Sequence, residues 1–147
     1  MNSCTFFGHR NTSYHQIEKT LFAIITDLIT NYNVTNFYVG NNGCYDKAVY
    51  KILLELKKNI FPAINIYLVL AYLPKKDEFD TTDYTYSIYP EEIEKVPPRL
   101  AIIYRNNYML DRCNYVITYV KSPVGGASKF KELALKKQKN VIEISNL

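Results

Sequence analysis

Arg105-Asn106-Asn107-Tyr108-Met109, then Tyr115-Val116-Ile117-Thr118-Tyr119-Val120, then Ser122-Pro123-Val124-Gly125-Gly126-Ala127-Ser128-Lys129-Phe130-Lys131-Glu132: this run decides how the chain folds. It reads as a helix, a short apolar strand, a glycine turn and a new helix. An Arg sits on the entering helix and a Glu on the leaving one. A glycine pair that follows a strand and opens a helix is where α/β proteins take phosphates. The backbone comes close there, and the N–H groups of the first helical turn carry partial positive charge. The expectation is a nucleotide or nucleotide-sugar pocket with Gly125 and Gly126 in its floor. The plainer alternative is a strand-to-helix turn that needs a positive φ.

The same grammar recurs upstream. Cys4-Thr5-Phe6-Phe7 is apolar and β-prone, and stops at Gly8-His9-Arg10; it predicts a central, buried first strand. Ser13 with Gln16 resembles a capping box, opening a helix whose face is Ile17, Leu21, Ile24 and Leu28. Phe37-Tyr38-Val39 predicts a second strand, ended by Gly40-Asn41-Asn42-Gly43. A helix with Tyr45, Val49, Ile52, Leu53 and Leu56 follows, then a strand over 64–70. Beyond come a helix over 101–112, a strand over 115–120, a helix over 129–137 and a last strand over 141–144.

Alternating strands and helices make the economical architecture an α/β, Rossmann-like three-layer sandwich. Its sheet would be mostly parallel, of five or more strands, with helices on both faces. Residues 1–147 are expected to form one domain. Residues 71–98 are the exception to short connections, and read as a long loop or lid insertion. They hold Tyr72, Tyr84, Tyr86 and Tyr89, Pro74, Pro90, Pro97 and Pro98, and the acids Asp77, Glu78, Asp80 and Asp83. So aromatic a stretch is unlike a disordered tail and is expected to pack over the carboxyl edge of the sheet.

Composition narrows the function classes. Apolar residues make up 48% and charged residues 22%, an ordinary globular profile. No apolar run approaches the ~20 residues that span a bilayer. Met1-Asn2-Ser3-Cys4 lacks the regions of a secretory signal. Cys4, Cys44 and Cys113 are odd in number and scattered, so the expected location is a reducing cytoplasm. A net charge of +4 favours anionic ligands mildly and falls short of the basic clustering of a nucleic-acid binder. The spacing of Asp77, Asp80 and Asp83 fits no standard calcium loop, and no His cluster supports zinc, so no metal and no cofactor is expected.

Gly8-His9-Arg10, Gly40-x-x-Gly43 and Gly125-Gly126 together resemble the SLOG superfamily over nearly the whole chain. Its relatives include the lonely-guy cytokinin-activating proteins, the YpsA-like small Rossmannoid proteins and the DNA-processing protein A fold. Lonely-guy proteins carry an Arg on the helix before the fourth strand and Pro-Gly-Gly-x-Gly-Thr-x-x-Glu after it. Arg105 matches the first element, and Val124-Gly125-Gly126-Ala127-Ser128-Lys129-Phe130-Lys131-Glu132 the second. Val124 replaces the leading Pro, Ser128 the later Gly and Lys129 the Thr.

That resemblance implies binding of a small nucleotide-derived ligand (a nucleotide, ADP-ribose or a cyclic-nucleotide-type signal) at the carboxyl edge, by a sensor or a sequestering counter-defence protein. Gly125, Gly126, Ala127, Ser128 and Lys129 would take one phosphate. Gly8, His9 and Arg10 would take another or the ribose, beside Gly40, Asn41, Asn42 and Gly43. Arg105, Asn106 and Glu132 would flank the sugar, and a loop tyrosine would close over the base. Asp46 reads either as a ribose-hydroxyl acceptor or as an acid stabilised by its helix dipole. The alternative is an N-glycosidic hydrolase of nucleoside monophosphates, with Arg105 and Glu132 catalytic; a single-stranded DNA module ranks third. The resemblance also implies a homo-oligomer. On residues alone, Arg105 is a helix-surface cation and Glu132 a partner of Lys129 or Lys136.

Overall fold

The computed structural model describes residues 2–73 and 85–144. Of the long insertion, Pro74, Asp77, Glu78, Asp80, Asp83 and Tyr84 lie outside the described residues. Strand and helix alternate as β1 (Asn2–Gly8), α1 (Tyr14–Tyr32), β2 (Val34–Val39), α2 (Cys44–Asn59) and β3 (Asn65–Val69). There follow β4 (Thr85–Ile88), α3 (Ala101–Arg112), β5 (Tyr115–Tyr119), α4 (Gly126–Lys136) and β6 (Asn140–Glu143). Two 3-10 turns, Ile93–Lys95 and Pro98–Leu100, lead into α3.

The six strands are ordered β4-β3-β2-β1-β5-β6, and every pairing between them is parallel. The result is the three-layer Rossmann-like sandwich that the alternation predicts. The chain runs outward from β1 to β4, then returns to the far side of β1 for β5 and β6. The order therefore reverses between β1 and β5, and at such a point the strand ends leave a crevice.

Side-chain alternation along β1 divides the core. Cys4 and Phe6 join the cluster made with Ile17, Leu21, Ile25 and Leu28 of α1 and Val49, Ile52, Leu53 and Leu56 of α2. Phe7 belongs to the opposite layer, with Met109 and Leu110 of α3 and Phe130 and Ala134 of α4; its ring stacks on Phe130 at 5.1 Å. The buried stripe of α1 uses Ile25, and the expected Ile24 is only half-buried. Helix α1 has no acid in its first turn and no base in its last. Four buried aliphatic side chains at roughly 1.5–3 kcal/mol each far outweigh the dipole contributions of about 0.3–1 kcal/mol forgone. The capping contact is present: the Ser13 N–H donates to Gln16 Oε1 at 2.9 Å.

The insertion departs from expectation. Thr85–Ile88 is a sixth strand, paired in parallel with β3 through Ile66–Thr85, Tyr67–Tyr86, Leu68–Ser87 and Val69–Ile88. Four residues on a sheet edge carry too little alternation to be read from sequence. Tyr38, Tyr67 and Tyr86 stack across β2, β3 and β4, with ring centroids 4.8 and 5.5 Å apart.

Candidate functional site

A cleft of about 320 Å³ opens at the carboxyl edge of the sheet. Its walls come from Gly8, His9 and Arg10 after β1, Asn42 and Asp46 at the start of α2, Arg105 and Asn106 on α3, and Gly126 and Ala127 at the start of α4. Phe6, Phe7, Ile102 and Met109 complete the lining. Two further grooves have nearly the same volume, about 330 Å³ each. Volume therefore does not single out a site; chemistry does. This cleft alone of the three is lined by a buried guanidinium, a carboxylate and the first turns of two helices.

Arg105 is only 2% exposed. Its Nε donates to Asn106 Oδ1 at 2.8 Å and its Nη1 to the Val69 carbonyl at 3.1 Å. These bonds pin a planar cation against the end of β3 and give it a fixed direction. Asp46 lies opposite: a Cβ built on Gly40 would fall 2.6 Å from Arg105 Nη1 and 2.8 Å from Asp46 Oδ2. Gly40 is thus the space in which the two charges approach. Asp46 Oδ2 also accepts the Asn42 N–H at 2.9 Å. Burial pushes the Asp46 carboxyl above its ordinary value, against the opposing pull of Arg105, the Asn42 N–H and Arg10. Burial likewise pulls Arg105 down, and Asp46 opposes it. The Asn42 Oδ1 is buried without a hydrogen-bond partner, a state that a native site resolves with water or ligand.

The loop after β1 is held by close backbone contacts. Gly43, at φ +94°, caps α2, and a Cβ there would meet Arg10 Cα at 2.9 Å. The Cys44 N–H donates to the Arg10 carbonyl at 2.6 Å. Gly8 gives way to the ring of Tyr45, which a Cβ would meet at 2.5 Å; the Tyr45 hydroxyl donates to the Ile117 carbonyl at 3.1 Å. His9 Nε2 accepts the N–H groups of Lys121 at 2.8 Å and Ser122 at 3.3 Å. The ring therefore carries its proton on Nδ1 in this arrangement and ties the β1 loop to the β5 loop.

The glycine turn does open a helix, with Gly125 at φ +106° as its cap. Gly126 and Ala127 face the cleft. The Ser128 hydroxyl donates to the Pro123 carbonyl at 3.1 Å, so it braces the turn. Lys129 and Glu132 depart from the expected arrangement. Both line the groove between α3 and α4, with Ile103, Asn107, Phe130, Leu133 and Lys136. The resemblance implies Arg105 and Glu132 at one sugar; the helix phase of α4 instead presents Glu132 to the α3–α4 groove, and the carboxylate beside Arg105 is Asp46. Gly40, Asn41, Gly43, Gly125 and Ser128 do not line the cleft.

None of the described loop tyrosines lines the cleft. The Tyr72 hydroxyl donates to the Pro98 carbonyl, Tyr86 belongs to β4, and Tyr89 packs on the core. The apolar lining of Phe6, Phe7, Ile102 and Met109 was not anticipated as site; core positions in sequence give no signal of which end of a strand stays open. Among the described residues no group of His, Cys, Asp and Glu is placed to hold a metal. No helix among them is long and apolar enough to cross a membrane. No protein-family model matches the chain, and no curated protein matches it.

Proposed function

We propose that the carboxyl-edge cleft binds a phosphorylated nucleoside and that the chain acts as a sensor or a sequestering protein for it. The observation that carries this reading is the buried, doubly anchored guanidinium of Arg105 in the wall of that cleft. A cation withdrawn from water recovers most of its lost solvation when a phosphate meets it directly. Arg10 and the first turn of α4 supply further positive potential for the same phosphate. Asp46, beside Arg105, accepts ribose hydroxyls, and Phe7 and Ile102 offer an apolar surface to the base. A volume near 320 Å³ is at the small end of ligand sites, ~300–1,000 Å³, and suits one nucleoside phosphate. The SLOG resemblance, which rests on motifs, points the same way and adds a homo-oligomeric assembly.

The test is a thermal-shift and calorimetric titration with nucleoside monophosphates, alongside mass spectrometry of whatever leaves the purified protein on heat denaturation. Stabilisation that saturates, and that Arg105→Lys reduces by about tenfold or more in affinity, supports the reading. Absence of any stabilisation by these nucleotides sinks it.

A second reading is favoured by the place of the Asp46 carboxyl in the cleft lining beside Arg105, where burial raises it above its ordinary value. A carboxyl in that position can serve N-glycosidic cleavage, either protonating the leaving base or stabilising oxocarbenium charge. Under this reading purified protein releases free base from a nucleoside monophosphate, and Asp46→Asn abolishes the release while Glu132→Gln leaves it.

A further inference from the structure

A second cavity of about 330 Å³ lies at the same edge of the sheet, lined by His9, Asn11, Thr12, Gln16, Tyr119, Lys121 and Ser122. His9 lines this cavity and the cleft alike. The two therefore flank the point between β1 and β5 where the strand order reverses, with His9 common to both. His9 is held in place, because its Nε2 accepts the Lys121 and Ser122 N–H groups. The second cavity differs in chemistry from the first. Asn11, Gln16, Ser122 and Thr12 bring amides and hydroxyls, Lys121 brings a cation, and no acid lines it. Thr12 is 3% exposed, and its hydroxyl is buried without a hydrogen-bond partner. A buried hydroxyl of this kind calls for an explanation by ligand or water, as does Asn42 Oδ1 in the cleft.

We infer that the second cavity is a subsite for the distal half of a two-part nucleotide, a nucleoside diphosphate whose second phosphate carries a sugar. This rests on the proposed function of the cleft and extends it. The nucleoside and first phosphate occupy the cleft, the pyrophosphate passes over His9, and Lys121 with the hydroxyl and amide groups receives the second phosphate and the sugar. Neither cavity alone has the volume for both halves. Tight recognition needs the two together.

Calorimetric titration with AMP and UMP, and with ADP-ribose and UDP-glucose, tests the inference on the full chain. The expected result is that at least one two-part nucleotide binds ten times or more tighter than its monophosphate. Lys121→Glu and Thr12→Val should each remove most of that gain and leave monophosphate affinity within a factor of two. Lys121 is exposed and Thr12→Val keeps the shape of the side chain, so both variants are expected to fold, which circular dichroism checks. If a monophosphate binds but its two-part counterpart binds no tighter, the subsite is disproved and the cleft reading stands. Equal weakening of both ligand types by Lys121→Glu disproves it too, since the lysine then acts only as long-range charge. If none of the four ligands binds, the cleft reading fails and the subsite with it.

Discussion

Arg105 and Asp46 confront each other across the bare backbone of Gly40, with no room between them for a methyl group. The two residues come from different helices, 59 positions apart in sequence; Arg105 is buried and Asp46 half-buried. Their juxtaposition gives the cleft a cation and a carboxylate side by side.

Gly40→Ala forces that pair apart. The new Cβ would sit under 3 Å from both charged groups, an overpacking expected to cost about 1–3 kcal/mol. Urea unfolding should show the loss, and monophosphate binding should weaken by more than stability alone explains. A variant as stable as the parent would mean the two charges have slack to separate.

The charges also predict a pH dependence. The folded-state pKa of Asp46 is raised above the ordinary 3.8, so the folded chain holds this proton more tightly than the unfolded one. Stability from this group is therefore greatest below pH ~4 and falls as pH rises through the folded-state value. Asp46→Asn removes the slope. Stability of the parent minus that of Asp46→Asn, measured from pH 3.5 to 7, should decline with pH; a rising difference would show that Arg105 outweighs burial.

Glu132 and Arg105 should behave unlike partners. Glu132→Gln, in the α3–α4 groove, is expected to change nucleotide affinity by less than twofold. Arg105→Lys loses the planar fork and should weaken it about tenfold or more. Equal losses at the two positions in the same titration would show that both residues reach one ligand.

His9→Ala frees two backbone donors at the head of the β5 loop. Hydrogen exchange at Lys121 and Ser122 should quicken, while exchange in β5 stays unchanged because its ladder with β1 is intact. Unaltered protection at both amides would show that the imidazole does not hold the loop.

The sheet was legible from the residues because short apolar runs, glycine stops and helical stripes agreed at each step. Cys4 to Phe7, Tyr45 to Leu56 and the helix Ala101–Arg112 all needed only local pattern. The place of the cleft was legible in part, since glycines after strands mark the carboxyl edge of a parallel sheet. Helix phase was the missing quantity at Lys129 and Glu132: a motif fixes spacing, but not which side of α4 faces the cleft. The pairing of Asp46 with Arg105 is set by the crossover of α3, and no local signal carries it. The strand β4 was hidden because an edge position asks for little apolar alternation.

The stacked row Tyr38–Tyr67–Tyr86 has a practical corollary. The chain has no tryptophan, so near-ultraviolet dichroism and emission come from tyrosine without an indole to absorb or dominate the signal. Coupled phenol rings held at fixed spacing give a built-in optical reporter for one flank of the sheet. Subtracting the spectrum of Tyr86→Leu from that of the parent isolates its contribution, and fraying at that flank can then be followed without attaching a dye.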